Sequence, residues 1–292
     1  MNNNGFELQL GYNDREGAFK WNASGNLSFV TNKVTRLSEG VTNIEAGGDQ
    51  DFGTYNITNT AVGHPIQSFY GWVVEGIFQS ADEVSKHATQ TAATAPGDLK
   101  FKDTNGDGVI DVKDRQFLGS FIPKMTYALN LGANYKNFDL SVFFQGVQGN
   151  KIFNATRVIT EGMVRFFNAG TQVLKAWTPT NTNTNIPRAI SSDPNQNARP
   201  STRFLEDGSF LRLKNVMLGY NLGGNSLQSL TKGVVKNFRI YVSAQNIFTL
   251  TKYSGYDPEV GNRTPSSSLT NGIDFAVYPQ PKSFQVGIQA GF

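Results

Sequence analysis

Cysteine is absent from this 292-residue chain. No disulfide, thiolate metal site or thiol nucleophile is therefore available. Histidine is scarce: His64 and His87 both fall in polar sequence outside the strongly patterned segments. That removes the usual general base of a membrane-embedded hydrolase, and both rings are expected to be solvated. No run of about 18 apolar residues occurs, so no transmembrane helix is expected, whereas a β-barrel is untouched by that absence. The formal charge of +3 is small and scattered, which excludes a strongly basic nucleic-acid surface; no nucleic-acid partner is expected. No nucleophile elbow, phosphate loop or dinucleotide fingerprint is found, and an enzyme is not expected. The start, Met1 to Glu7, lacks a basic segment followed by an apolar one. If the chain is exported, its leader is expected upstream.

What is present is alternation. Apolar residues make up only 38% of the chain, yet it holds 22 Phe and 10 Tyr. From Ser283 to Phe292, Phe284, Val286, Ile288, Ala290 and Phe292 point one way and Ser283, Gln285, Gly287, Gln289 and Gly291 the other, the period of a strand with one greasy and one polar face. The same period appears in Phe6–Tyr12, Phe19–Phe29, Tyr127–Tyr135, Phe138–Gln145, Val216–Leu222 and Phe238–Gln245. Phe143 is an inward exception. Leu211 and Leu213 are displaced by one position, which predicts a bulge near Asn215. The patterned stretches run from 7 to 11 residues, close to the roughly 9–11 that a tilted strand needs to cross a bilayer.

The connectors alternate as well. Asn13 to Gly17 and Lys136-Asn137 are short and 223–237 is moderate, while 31–125, 146–209 and 248–282 are long and polar. Short periplasmic turns opposite long extracellular loops is a bacterial outer-membrane pattern. The strand ends at the short-turn side are Tyr12, Phe19, Tyr135, Phe138, Tyr220, Phe238 and Phe292, an aromatic ring of the kind that sits at a membrane interface. Seven strands leave two edges that lipid cannot satisfy. The expected fold is thus all-β, an antiparallel transmembrane β-barrel of which this chain supplies about seven strands. Lys20, Asn22, Ser24, Asp139, Arg239, Gln245, Gln285 and their neighbours would face the water-filled side.

Within the first long connector, residues 98–119 contain an acidic calcium-type loop. Asp103, Asn105 and Asp107 occupy positions one, three and five of a twelve-residue loop. Gly108 takes the tight turn, the Val109 carbonyl position seven, Asp111 position nine and Asp114 position twelve. Calcium needs six to eight hard oxygens in a flexible cage, and this spacing converges them. The expected cofactor is a structural calcium ion. An Asx- and Gly-rich turn without an ion is the alternative, because Asp114 is one methylene shorter than the usual Glu and no strong helix flanks the loop. Trp177 is expected to pack its loop rather than stack on a sugar.

Several stretches resemble the SusC/RagA family of TonB-dependent outer-membrane transporters of Bacteroidetes. They are Pro96 to Asp111, Asn137 to Gly146, Phe204 to Asn215, Tyr253 to Glu259 and Tyr278 to Pro281, in order along nearly the whole chain. The resemblance implies that residues 1–292 are the C-terminal part of a 22-stranded barrel in the outer membrane of a Gram-negative bacterium, without the N-terminal plug. It also implies a SusD-like surface lipoprotein as lid, a TonB complex engaged through the missing N-terminal part, and an oligosaccharide or peptide substrate. A calcium-stabilised surface adhesion or carbohydrate-binding β-domain is the competing expectation. It requires the apolar stripes to be buried under a second sheet.

Overall fold

The computed structural model describes residues 1–49, 54–162, 164, 168–223, 227, 229, 231–261 and 269–292. Parts of the 146–209 and 248–282 connectors, namely 163, 165–167 and 262–268, lie outside the described residues, as does most of 224–230.

The chain opens with a long hairpin, β1 (Asn2–Asp14) and β2 (Phe19–Lys33). The first long connector then folds into β3 (Asn43–Ala46), β4 (Thr58–Ala61), β5 (Ser68–Gly71), β6 (Val74–Ile77), the short helix α1 (Ala81–Lys86), β7 (Leu99–Phe101) and β8 (Gln116–Gly119). A second long hairpin follows, β9 (Met125–Tyr135) and β10 (Phe138–Gln148). The second connector carries β11 (Lys151–Asn154), α2 (Ala155–Glu161) and β12 (Leu205–Asp207). A third hairpin, β13 (Phe210–Gly223) and β14 (Asn237–Thr251), leads to β15 (Ile273–Asp274) in the third connector and finally to β16 (Ser283–Gly291).

The seven long strands form one sheet in the order β1-β2-β9-β10-β13-β14-β16, every neighbouring pair antiparallel. These are the seven segments that alternation marks out. The register aligns the stripes across the sheet. Trp21, Ala133, Leu140, Leu218, Val242 and Val286 fall in one row. Ser24, Asn130, Phe143, Asn215, Gln245 and Ser283 share a row of the opposite parity. A one-residue slip of any strand would exchange the faces, so the stripes themselves specify the pairing.

The expected bulge is present. Pairing jumps from Asn215 to Leu213 against both neighbouring strands, leaving Lys214 unpaired. The extra residue reverses the parity of β13, so Leu211 and Leu213 join the apolar face while Arg212 aligns with Gln145 and Thr249 on the polar one. At the short-turn end the interfacial ring is laid down by register. Phe19 pairs with Tyr135, Tyr135 with Phe138 and Phe138 with Tyr220. Ring centroids lie 6.4 Å apart for Phe19–Tyr135 and 4.9 Å for Phe138–Tyr220.

The hydrophobic core does not lie under this sheet. Phe6, Leu8, Leu10, Leu129, Leu131, Leu140, Leu218, Val242, Phe284, Val286 and Ile288 are exposed, and no second sheet among the described residues covers them. The core lies instead among the long connectors. One cluster joins Ile57, Phe69, Phe153, Val158, Phe204 and Ile273; another joins Trp72, Ile77, Leu99, Phe101, Ile110 and Trp177. The connectors thus form a packed cap at one end of the wall, rather than the plain polar loops their composition suggests. Three small sheets stitch it, β3-β4-β5-β8, β12-β11-β15 and β6-β7. The parallel pairing of β11 with β15 ties the second connector to the third.

Candidate functional site

The chemistry of this chain resides on the polar face of the wall and in the cap above it. On the wall, Asp139 of β10 and Arg239 of β14 reach across the intervening β13 and pair, with Nε–Oδ1 3.0 Å and Nη2–Oδ2 2.5 Å. Gly219 makes room for the pair, since a Cβ there would lie 2.5 Å from Asp139 Oδ1 and 2.6 Å from Arg239 Nε. Asn221 Nδ2 also donates to Asp139, at 2.6 Å. Both charged residues carry the polar parity expected from alternation; their mutual pairing is what the fold adds.

Higher on the wall, the bulge assembles a larger clamp. Arg212, only 2% exposed, donates from Nε to Thr249 Oγ1 at 2.8 Å, from Nη2 to Asp257 Oδ1 at 2.6 Å, and from Nη1 to Glu259. Lys214, freed by the bulge, places Nζ 2.8 Å from both Glu259 oxygens. Asp257 accepts in addition from the backbone N–H groups of Glu259 and Gln280. Sequence reasoning selected these residues only as part of family-like stretches. Their role as a wall-to-loop clamp depends on a contact between residues about 45 positions apart, which no local pattern encodes.

A second network sits in the cap. Arg157 on α2 forks onto Glu161 (Nε–Oε1 2.8 Å, Nη2–Oε2 3.2 Å) and reaches Glu206 (Nη1–Oε1 3.1 Å). Arg203 Nη2 reaches Glu161 Oε2 at 2.7 Å. Tyr253 donates its hydroxyl to Asp274 Oδ2 at 2.5 Å, and burial together with that bond pushes its pKa up. A third network holds Asp98, fully buried, against Arg188 (2.8 and 2.9 Å) and Asn197 Nδ2 (3.1 Å).

Burial alone would raise the pKa of Glu206 and of Asp257. For Glu206, Ser254 N–H and Oγ–H and then Arg157 together outweigh it, and for Asp257, Arg212 and two backbone N–H groups do, so both end below their ordinary values of 4.5 and 3.8. A depressed carboxylate stabilises the fold above its ordinary pKa, and that contribution is lost as pH falls through the folded value. Near-ultraviolet circular dichroism should therefore show cap packing failing in acid, below about pH 4, before the far-ultraviolet sheet signal declines.

Trp177 packs its loop, as expected. It is buried, donates Nε1–H to Gln79 Oε1 at 2.9 Å, and lies against Gly97. Gly97 has φ +91°, and a Cβ there would stand 2.5 Å from Trp177 Cε3. Gly97→Ala should cost about 2–5 kcal/mol through left-handed strain plus overpacking, read as a lower unfolding midpoint. The histidines depart from expectation. His64 is half-buried and stacks on Phe117 with ring centroids 3.5 Å apart. His87 is half-buried edge-on to Phe78, with Nδ1 3.0 Å from the Ala88 carbonyl oxygen. The aromatic-rich cap gives both rings apolar partners that local sequence does not reveal.

The acidic loop lies between β7 and β8. Its carboxylates serve backbone amides. Asp103 accepts from Gly106 N–H (2.7 Å) and Gly108 N–H (2.9 Å), Asn105 Oδ1 from Asp107 N–H (3.0 Å), Asp107 from Val109 N–H (3.0 Å) and Asp111 from Lys113 N–H (2.7 Å). The Gly108 and Gly106 amides hold Asp103 below the usual carboxylate range. Asp114 differs. It is fully buried, and Oδ1 accepts from both Thr104 N–H (2.8 Å) and Oγ1–H (3.2 Å) while Oδ2 accepts from Asp111 N–H (2.8 Å). With Oδ1 saturated, Asp114 has at most one lone pair to offer, not a bidentate grip. Among the described residues, no group of three or more His, Cys, Asp or Glu side chains is drawn together as a metal cluster. Ile110 anchors the loop in the cap core, and Trp72 Nε1 donates to the Asp111 carbonyl at 2.8 Å.

A single-layer antiparallel sheet, lipid-compatible on one face and polar on the other, with a folded cap over its long-loop end, defines a partial transmembrane β-barrel. No family model matches the sequence. The TonB-dependent receptor P3 of Formosa agariphila is 33% identical over 297 residues, spanning all of this chain and 29% of that receptor. The TonB-dependent receptor SusC of Bacteroides thetaiotaomicron is 29% identical over 283 residues, 94% of this chain and 24% of SusC. A structure of the RagAB peptide transporter superposes on 99% of this chain with a TM-score of 0.76 at 27% identity, this chain covering 29% of it. The chain belongs to the SusC/RagA family of TonB-dependent outer-membrane transporters. It spans under a third of the length of the curated relatives it matches.

Proposed function

We propose that this chain builds part of the wall and the extracellular mouth of an importer in the outer membrane of a Gram-negative bacterium. Import would be energised through a TonB complex, take oligosaccharides or peptides, and work with a SusD-like lipoprotein seated on the cap. One observation carries the reading: the apolar face of the seven-stranded sheet is uncovered while the true core sits in the cap. Two relatives support it: RagAB is a peptide transporter and SusC a TonB-dependent receptor. The test compares circular dichroism and sedimentation of the polypeptide in buffer with calcium and in detergent micelles. A sheet signature that needs detergent is expected. A monomeric fold in the detergent-free calcium buffer would overturn the importer and favour an adhesion domain.

The cap is also proposed to hold a structural calcium ion. Asp103, Asn105, Asp107, the Val109 carbonyl and Asp111 would supply its oxygens, with Asp114 bracing the loop and giving at most one more. Calorimetric titration should show binding heat that disappears in Asp103→Ala/Asp107→Ala. Equal heats in both proteins would remove the ion.

A further inference from the structure

We infer that the outward rim of the wall at its long-loop end binds the phosphate groups of the outer-leaflet glycolipid through Lys33, Lys252 and Lys282. The inference rests on the importer reading, which puts this end at the cell surface. It starts from parity. Lys33 closes β2 on the face of Phe29 and Thr31, and pairs with Asn2. Lys252 stands two residues beyond Leu250, which is 56% exposed on the apolar face. Lys282 stands two residues before Phe284, 74% exposed on the same face. Three apolar stripes therefore end in a lysine, and all three lysines are exposed.

The three share a level as well. β2 runs 15 residues from the interfacial Phe19 to Lys33. β14 also has 15 residues, with Phe238 of the aromatic ring at one end and Lys252 just past the other. β16 has 9, set between Lys282 and Phe292. At about 3.3 Å per residue and a tilt of about 40°, each lysine stands about 25–40 Å above the aromatic ring. That is the distance from one interface across a hydrocarbon core of about 30 Å to the far headgroups. Between the ring and the rim these three stripes carry no charged residue. Lys33 and Lys282 make no ion pair or side-chain hydrogen bond among the described residues. Lys252 lies near Asp207, but that carboxylate is engaged by Ser209 N–H and Oγ–H. A lysine ending an apolar stripe lays its stem on hydrocarbon and lifts its ammonium into the headgroup layer, where phosphate is the anion within reach.

The experiment uses the intact receptor that carries this sequence, delipidated in dodecyl maltoside. It is titrated with diphosphoryl lipid A and, in parallel, with the same lipid stripped of both phosphates, and bound lipid is counted by native mass spectrometry. The phosphorylated lipid should bind about tenfold more tightly, with an affinity that falls as salt rises. Lys33→Gln/Lys252→Gln/Lys282→Gln should weaken it about tenfold and remove most of the salt dependence, at an unchanged thermal midpoint. Lys86→Gln/Lys102→Gln/Lys175→Gln, which deletes as many exposed lysines from the cap, should leave the affinity as it was. Equal binding of the two lipids, undiminished affinity in the rim variant, or an equal loss in the cap variant overturns the assignment. Intact lipid binding with weakened capture of the lipoprotein lid by the rim variant also overturns it, and gives the lysines to the lid. Insertion into phosphatidylcholine liposomes reads the importer proposal separately: a receptor that inserts but does not distinguish the two lipids loses only the rim.

Discussion

Arg212→Ala should destabilise the folded chain by about 3–5 kcal/mol, the usual result of removing one partner from a buried ion pair. The guanidinium is almost wholly buried and satisfies Thr249, Asp257 and Glu259 together. Without it Asp257, itself buried, keeps only its backbone donors, and Lys214 is left as the cation beside Glu259. The third connector, whose β15 contributes Ile273 to the cap core, would lose its anchor to the wall. Unfolding of detergent-refolded protein by urea should show the lowered midpoint, and limited proteolysis should cut first within 252–282. Arg212→Lys should recover little, because an ammonium cannot fork onto two carboxylates and a hydroxyl. An unchanged midpoint in Arg212→Ala would show that the clamp is ornamental to stability.

Val286→Arg and Gln285→Arg, adjacent on one strand, should differ sharply. Val286 is 78% exposed on the apolar face, in a row with Val242 and Leu218. An arginine there would face hydrocarbon and cost about 2–4 kcal/mol near the bilayer midplane. Gln285 has the opposite parity, aligned with Ser243, and an arginine there should change folding into liposomes by less than about 1 kcal/mol. Equal effects at the two positions would mean that the greasy face does not meet lipid. Such a result would remove the premise of the importer proposal.

The wall was legible because its code is local. Each strand carries its own period-two stripe, and the aromatic ends and short turns mark where it stops. Even the bulge announced itself, through the parity jump of Leu211 and Leu213 against Val216 and Leu218. The cap was not legible, because its core is assembled from single residues far apart. Ile57, Phe153 and Ile273 come from three different connectors, and none sits in a stripe long enough to show a period. The clamps were missed for the same reason, although Asp98, Arg212, Glu206 and Asp257 all stood inside stretches that carry the family likeness. The acidic loop was legible as a turn-forming ladder of side chains, but the inward turn of Asp114 toward Thr104 needed coordinates.

The placement of the core in the cap has a consequence for biogenesis. Hairpins such as β1–β2 and β9–β10 can zip up from neighbouring sequence, but β11 meets β15 only after more than a hundred residues between them have been laid out. Contacts so distant along the chain are slow to form, and slow folding leaves sticky surface bare in the meantime. The greasy stripes would be uncovered for the whole of that interval. A nascent polypeptide of this design therefore depends on escorts that keep it from clumping until the bilayer receives it, and the cap becomes firm last.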